Sequence, residues 1–449
     1  MPVQNTLSVI LAAGKGTRMR SDLPKPLHQI AGNTLLGHVM QVAISAGHQQ
    51  LAVVVGPEMD NVREDSLKHS QDTQSYVQTQ QAGTADALLA ARSALTEHSG
   101  DVFVLFADTP LLRSETLNRV SDALEQGANI VVLGFEAEDP TGYGRLLTDA
   151  AGELTAIREH NDATEQERQT KLCNSGVMAF RCPDLLALLD QIENNNAKQE
   201  YYLTDIVEIA RKSSLSSKAI SCDEAELLGI NDRVQLAGAE HKYQERLRED
   251  AMRNGATMIA PETVWLSYDT VIGRDVIIEP NVFMGPKVKI EDNALIRANS
   301  HLEGATVGSG SRIGPFARLR PGAQLSSGVH VGNFVEVKNV EMGEGAKANH
   351  LAYLGDGSVG EGANIGAGTI FCNYDGFRKH TTTVKKGAFV GSNSALVAPV
   401  EIGEGAFVGS GSVVTKNVPA DSLMVERAPT TIKEGWAAKF RKLMSRHKR

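Results

Sequence analysis

The sequence predicts an α/β domain with a mostly parallel sheet, joined by one long helix to a parallel β-helix. Three patterns carry that prediction. Between Leu7 and about Asn231, short apolar runs alternate with segments whose apolar residues recur at helical spacing. From Asp232 to Asn254, Val234, Leu236, Tyr243 and Leu247 are interspersed with charge, and Gly255 follows. From Ile272 to about Val418 an apolar residue recurs at every sixth position. The implied boundaries are 1–233 for the first domain, 234–254 for a linker helix, and 255–449 for the second domain with a C-terminal helical tail.

A chain of 449 residues is too long for one ordinary core, which agrees with two domains and a connector. Its net charge of -9 argues against a general nucleic-acid-binding surface. Only Lys439 to Arg449 is distinctly basic, which reads as a solvated terminal helix or a local anion contact. Cys173, Cys182, Cys222 and Cys372 lie far apart with no C-x-x-C pair, so neither a disulfide framework nor a zinc site is expected. Reduced thiols, no cleavable leader and no apolar run approaching about 18 residues lead to the expectation of a cytoplasmic protein without a membrane partner.

In the first domain, L-S-V-I-L-A-A-G, L-A-V-V-V-G, D-V-F-V-L-F-A-D and A-N-I-V-V-L-G-F read as buried strands. Ligands of such sheets bind beyond the carboxyl ends of the strands. The first strand ends in L-A-A-G-K-G-T-R-M, where Gly14 and Gly16 let backbone N–H groups turn toward an anion and Lys15 and Arg18 add positive charge. It is neither a dinucleotide fingerprint nor a Walker loop. In L-P-K-P-L-H, two prolines restrict the backbone around Lys25, a stiffly held cation suited to an anionic transition state.

Together, G-x-G-x-R-M and L-P-K resemble the sugar-phosphate nucleotidylyltransferase family, which implies a Rossmann-like domain and a UTP-type site around Leu11, Ala12, Ala13 and Gly14. In V-Q-T-Q-Q-A-G-T-A-D-A the resemblance assigns Gln78, Gly83 and Thr84 to the pyrimidine edge. F-A-D-T-P-L ends another strand on Asp108, the family's Mg²⁺ ligand, with Phe106-Ala107 where Tyr-Gly is commoner. The segments D-P-T-G-Y-G-R, I-R-E-H-N-D-A-T, C-N-S-G-V, E-Y-Y-L-T-D and G-I-N-D-R then follow in order, as in the uridylyltransferases that make UDP-N-acetylglucosamine. That likeness assigns Gly144, Glu159, Asn174 and Asn231 to the sugar nucleotide, with Asn231 sharing the metal with Asp108. Lys25, Arg18 and the metal would neutralise charge while a sugar-1-phosphate attacks UTP.

The linker reads as one helix, capped by Asn231 or Asp232 and ended by Gly255, long enough to separate two sites by roughly 30 Å. Beyond it, roughly two dozen hexads run in sequence, and three hexads close one triangular coil. One coil cannot bury its own apolar face, so the leads must stack into an inner column. The count slips between Leu302 and Val307, between Val337 and Met342, and between Leu354 and Val359. It breaks most clearly between Phe371 and Val384, where G-F-R-K-H-T-T must partly protrude. A plain spacer has no need of loops.

Arg320 and Lys338 follow leads one coil apart, about 4.8 Å in a stacked sheet. Like charges so placed suggest an anion between them. His350 lies within a coil or so of that point and has side-chain chemistry suited to accepting a proton.

I-G-P-F-A-R-L-R-P-G, H-V-G-N-F-V-E-V-K, H-L-A-Y-L-G-D, N-I-G-A-G-T-I-F-C-N-Y-D-G and K-E-G-W resemble the C-terminal half of the bifunctional uridylyltransferase/glucosamine-1-phosphate N-acetyltransferase family. With the first domain, the resemblance covers nearly the whole chain. It implies a left-handed β-helix, an exception to right-handed crossovers, assembled as a homotrimer with acetyl-CoA between subunits. It assigns His350 as general base, and Arg320, Lys338, Tyr353, Asn364 and Lys379 to glucosamine-1-phosphate. Ala367, Asn373, Tyr374, Ser392, Ser410 and Arg427 then lie along the acetyl-CoA path, with Ser410 where the family often has Ala. The alternative is a single nucleotidyltransferase with a regulatory or oligomerising β-helix.

Overall fold

The computed structural model describes residues 5–181 and 184–446, so Cys182 and the last three residues of the basic tail lie outside the described residues. It forms two compact units, residues 1–246 and 247–449.

In the first unit the main sheet runs in the order Ser217–Cys222, Ile130–Glu136, Leu172–Phe180, Asp101–Phe106, Thr6–Leu11, Gln50–Val55, Gln74–Val77. Thr6–Leu11 is buried along its whole length because both faces are covered. Leu7, Val9 and Leu11 share one apolar cluster with Leu88 and Leu203, while Ile10 packs in another with Val39, Met40 and Leu117. Two-sided burial is why these strands read as continuous apolar runs.

Leu172–Phe180 departs from the mostly parallel pattern, running antiparallel to both neighbours. Its register shifts between Asn174 and Met178, and that bulge breaks the alternation that would have marked it as a strand.

The helix Arg233–Arg253 is capped by Asp232, whose carboxylate accepts from the backbone N–H groups of Val234 (2.9 Å) and Gln235 (2.8 Å). At its end Gly255 takes a φ of 105°, with N–H bonds from Gly255 to Met252 O and from Ala256 to Ala251 O. Leu236 and Tyr243 pack beside Ile30, Leu35 and Leu111 in the first unit. Leu247 and Ala251 pack against the core of the second.

That second core is a column. Strands of mostly two or three residues stack in parallel, coil upon coil, as three walls. On the first wall the inward leads run Met258, Ile278, Ile296, Ile313, Val331, Ala348, Ile365, Val390, Val408 and Met424. The second wall runs from Ile272 through Val307, Met342 and Val359 to Ile402. The third runs from Met284 through Leu302, Leu319, Val337, Leu354 and Phe371 to Val414. This is the left-handed parallel β-helix, and its leads merge into one continuous apolar cluster.

The column begins earlier than the hexad count shows. Met258, Val264 and Leu266 already fill a first coil, where a 3₁₀ turn at Pro261–Thr263 interrupts the period. The slips are coils one residue short: Ile278 pairs with Ile296, but Ile296 pairs with Ile313. The large break is an insertion, since Ile365 pairs with Val390. Its excess chain forms a loop with Phe377 94% exposed, organised by the Asp375 carboxylate, which accepts from the N–H groups of Phe377 and Arg378 and pairs with His380 at 2.7 Å. Among the described residues, no helix is long and apolar enough to cross a membrane.

Candidate active sites

In the first unit a cleft of about 510 Å³ opens at the carboxyl ends of the strands. It is lined by Leu11, Ala12, Ala13, Gly14, Lys15, Lys25, Gln78, Gly83, Thr84, Phe106, Ala107 and Asp108. The glycine loop and the L-P-K segment fit together sterically. Gly16 has φ 58°, and a Cβ there would stand 2.7 Å from Cβ of Lys25, so the close approach of Lys25 requires glycine.

Lys25 Nζ then pairs with the Asp108 carboxylate and lies 3.4 Å from Asn231 Oδ1, which also accepts from Arg18 Nη2 at 2.8 Å. Asn231 reaches this point because the N–H of Ile230 donates to Asp108 O at 2.9 Å. Four residues spread over the first 231 positions thus form one cluster. Among the described residues no group of three or more His, Cys, Asp or Glu side chains could hold a metal. One carboxylate and one amide oxygen converging on a common cation nevertheless fit Mg²⁺, which prefers oxygen donors and takes few from protein, leaving the rest to phosphate and water.

Gln78 is buried and its amide N–H groups donate to Gly83 O (3.0 Å) and Asp86 Oδ2 (2.8 Å), so its carbonyl oxygen is the atom left for a ligand. Thr84 Oγ1 accepts from the N–H of Leu203 at 3.0 Å, tying the E-Y-Y-L-T-D segment to the cleft. Gly144, Glu159 and Asn174 stand together beside it. The Asn174 N–H donates to Gly144 O, and Glu159 Oε1 would lie 3.4 Å from a Cβ on Gly144. Gly176 leaves room for the Phe106 ring, which would come within 2.7 Å of a Cβ there. Gln80, Gln81 and Glu200 also line the cleft and were not singled out from sequence. Gln81 clamps the first strand end by donating to Ala13 O at 2.9 Å.

Around Glu159 lies a cluster of carboxylates that includes Asp162, Glu200, Asp205 and Glu208. Burial pushes Glu159 upward, and burial reinforced by Glu208 pushes Asp205 up to about 6. Because the folded value of Asp205 exceeds the ordinary carboxylate value, its neutral form is favoured in the native state. Its stabilising contribution is full below about pH 4 and is lost as pH rises through about 6. Asp205→Asn is therefore expected to raise Tm by about 2–4 °C at pH 7.5 and to leave it unchanged at pH 4. Circular dichroism melts at both pH values check this, and a variant less stable at pH 7.5 would show that the charged carboxylate is needed there.

On the β-helix the predicted residues fall into two groups. The first follows the edge after the first wall. His350 ends the strand Lys347–His350, and Ala367, Ser392 and Ser410 each stand two residues beyond the stacked leads Ile365, Val390 and Val408. Arg427 reaches the same edge, with Nη2 3.6 Å from where a Cβ on Gly409 would stand. Asn364 also belongs to this wall, paired with Lys347 and Phe389.

The second group sits on the third wall and the inserted loop. Arg320 Nη1 donates to Glu336 Oε1 at 2.8 Å, and Lys338 Nζ lies 3.7 Å from Asp356 Oδ2, which Asn373 also contacts. Tyr353 is stacked directly on Glu336. Tyr374 is exposed on the loop, bridged to Lys379. The like-charge argument from sequence is corrected here. Arg320 and Lys338 are each matched by a carboxylate, and the cations that crowd one another are Lys338 and Lys379. Lys338 holds Lys379 below its ordinary value. Among the described residues no hydrogen bond or ion pair joins the two groups.

The architecture and sites define a nucleotidyltransferase domain joined to a hexapeptide-repeat transferase. Residues 8–171 match the MobA-like NTP transferase domain, and residues 269–304 and 381–416 match the bacterial transferase hexapeptide of six repeats. The chain is 54% identical to the bifunctional protein GlmU of Azorhizobium caulinodans over 98% of both chains. It is 54% identical to that of Xanthobacter autotrophicus over the full length of both, and 51% identical to that of Agrobacterium fabrum over 98% and 96%. The chain belongs to the family of bifunctional GlmU proteins.

Proposed function

We propose that the chain makes UDP-N-acetylglucosamine in two steps, acetylating glucosamine-1-phosphate in the second unit and uridylylating the product in the first. The observation that supports this most strongly is that Arg18, Lys25, Asp108 and Asn231 converge on one point of the first unit, while the second unit carries His350 and a set of cations on two of its walls.

In acetyl transfer, the 2-amine of glucosamine-1-phosphate attacks the thioester carbonyl of acetyl-CoA while His350 takes the amine proton, and CoA leaves as the C–S bond breaks. Arg320, Lys338 and Lys379 hold the sugar phosphate with Tyr353 and Asn364. Ala367, Ser392, Ser410 and Arg427 mark the path of acetyl-CoA, with Asn373 and Tyr374 at its reacting end. Backbone N–H groups along that edge suit the oxyanion.

In uridylyl transfer, an oxygen of N-acetylglucosamine-1-phosphate forms a bond to the α-phosphorus of UTP and pyrophosphate departs. Lys25 and Arg18 neutralise the charge that develops, and Gln78, Gly83 and Thr84 face the pyrimidine. Gly144, Glu159 and Asn174 position the sugar. Asp108 and Asn231 are the oxygen donors that would hold Mg²⁺, which supplies charge neutralisation on phosphate oxygens when bound.

The placement of Asn364 and His350 on one wall, and of Arg320, Lys338 and Tyr353 on another, favours a homotrimer in which one wall of a subunit faces a different wall of its neighbour. The protein is expected to release CoA from acetyl-CoA plus glucosamine-1-phosphate, and pyrophosphate from UTP plus N-acetylglucosamine-1-phosphate with Mg²⁺. It is expected to sediment at three times its 48.2 kDa chain mass. Pyrophosphate release without CoA release would reduce the second unit to a regulatory or oligomerising module.

A further inference from the structure

We propose that Asn333 is a positioning residue for acetyl transfer, fixing the tautomer and ring orientation of His350; this rests on the reading of His350 as the base. The strand His330–Asn333 stacks in parallel on Lys347–His350, with Asn333 directly opposite His350. Asn333 Oδ1 lies 2.7 Å from His350 Nδ1. An amide oxygen can only accept a hydrogen bond, so Nδ1 carries the proton and Nε2 is left with the lone pair. Nε2 is then the nitrogen that can take a proton from an attacking amine.

The backbone is built to hold this contact. The N–H of Leu351, the residue after His350, donates to Asn333 O at 3.0 Å, so Asn333 grips the turn through main chain and side chain together. A Cβ on Gly332 would stand 1.9 Å from Asn349 O, so only glycine lets the two coils approach this closely. Phe334 and Leu351, the residues following Asn333 and His350, both take left-handed backbone conformations, with φ 56° and 51°. Such conformations in large side chains persist where the surroundings over-determine them. Phe334 is pinned by stacking on Phe316, with ring centroids 5.2 Å apart.

The partner is a neutral amide rather than a carboxylate, which separates this arrangement from a charged dyad. His350 and Asn333 border one hollow whose charged and titratable groups are Arg297, Arg312 and His330 from the preceding coils, with no acidic residue in its lining. Lys347 is the cation on His350's own strand. A carboxylate placed at position 333 would therefore be the nearest negative charge to the ring and would favour its protonated form.

The test uses the full-length protein with His350→Ala, Asn333→Ala and Asn333→Asp, following CoA release against pH, with pyrophosphate release reporting the first unit and the sedimented mass and thermal melt reporting the fold of the second. Asn333→Ala is expected to lower kcat for CoA release by about 10–100-fold, with KM for both substrates within about twofold and pyrophosphate release unchanged. Asn333→Asp is expected to recover part of that loss and to move the acidic limb of kcat/KM upward by about one pH unit. If His350→Ala is inactive while both Asn333 variants keep the wild-type rate and pH profile, the positioning role is overturned and the base stands. CoA release that survives His350→Ala overturns the base assignment itself. Should Asn333→Ala lose both activities together, the pH profile of Asn333→Asp decides, and an unshifted limb overturns the proposal.

Discussion

Replacing His350 by Ala is expected to abolish CoA release from acetyl-CoA and glucosamine-1-phosphate while leaving pyrophosphate release from UTP intact. Loss of a general base removes about 10²–10⁴-fold in rate, and the other histidine bordering this hollow, His330, stands opposite Lys347, one residue before the lead Val331 rather than two beyond it. The imidazole is exposed and hydrogen-bonded to the side chain of Asn333, which is itself only partly buried, so the substitution leaves no buried group unsatisfied and the column of leads stays packed. Parallel assays of both products on one preparation check the prediction. Equal loss of both activities would mean that the two sites are not independent.

The reciprocal variant, Asp108→Ala, is expected to lower Mg²⁺-dependent uridylyl transfer by about 10³-fold or more while sparing acetyl transfer. Two effects add. The proposed metal keeps only the amide oxygen of Asn231, and Lys25 loses its carboxylate partner at the point where phosphate charge must be met. A Mg²⁺ titration of pyrophosphate release separates them, because a metal ligand, unlike a charge partner alone, raises the Mg²⁺ concentration needed for half-maximal rate. Undiminished transfer with an unchanged Mg²⁺ requirement would exclude Asp108 as a ligand.

Much of the fold was legible because the patterns that encode it are local. The hexad leads named from sequence are the buried inner column, since an apolar residue with outward-facing neighbours has one low-energy place in a stacked coil. Four apolar runs marked four central strands for the same reason. Leu172–Phe180 escaped because its bulge at Asn174 breaks the period, and the first coil escaped because Pro261–Thr263 interrupts the hexads. At the sites, the motif residues were visible as types, but their neighbours were not. Glu336 and Asp356 lie inside quoted motifs without being singled out, although they pair with Arg320 and Lys338. Asn333 lies unmarked inside H-V-G-N-F-V-E-V-K, although its side chain is hydrogen-bonded to His350.

Periodicity and the ordered motifs were therefore enough to establish two kinds of unit and the chemistry each can hold. Which polar groups meet was decided by the folded chain. Gly16 must be bare for Lys25 to reach Asp108 and Asn231. Coil length decides that residue 333 stands behind residue 350 and that Asn364 shares a wall with His350 rather than with Arg320. The physical reason is range. Burial of a lead is settled by its nearest hexads, whereas a hydrogen bond across coils depends on the accumulated count of every slip and insertion between its partners.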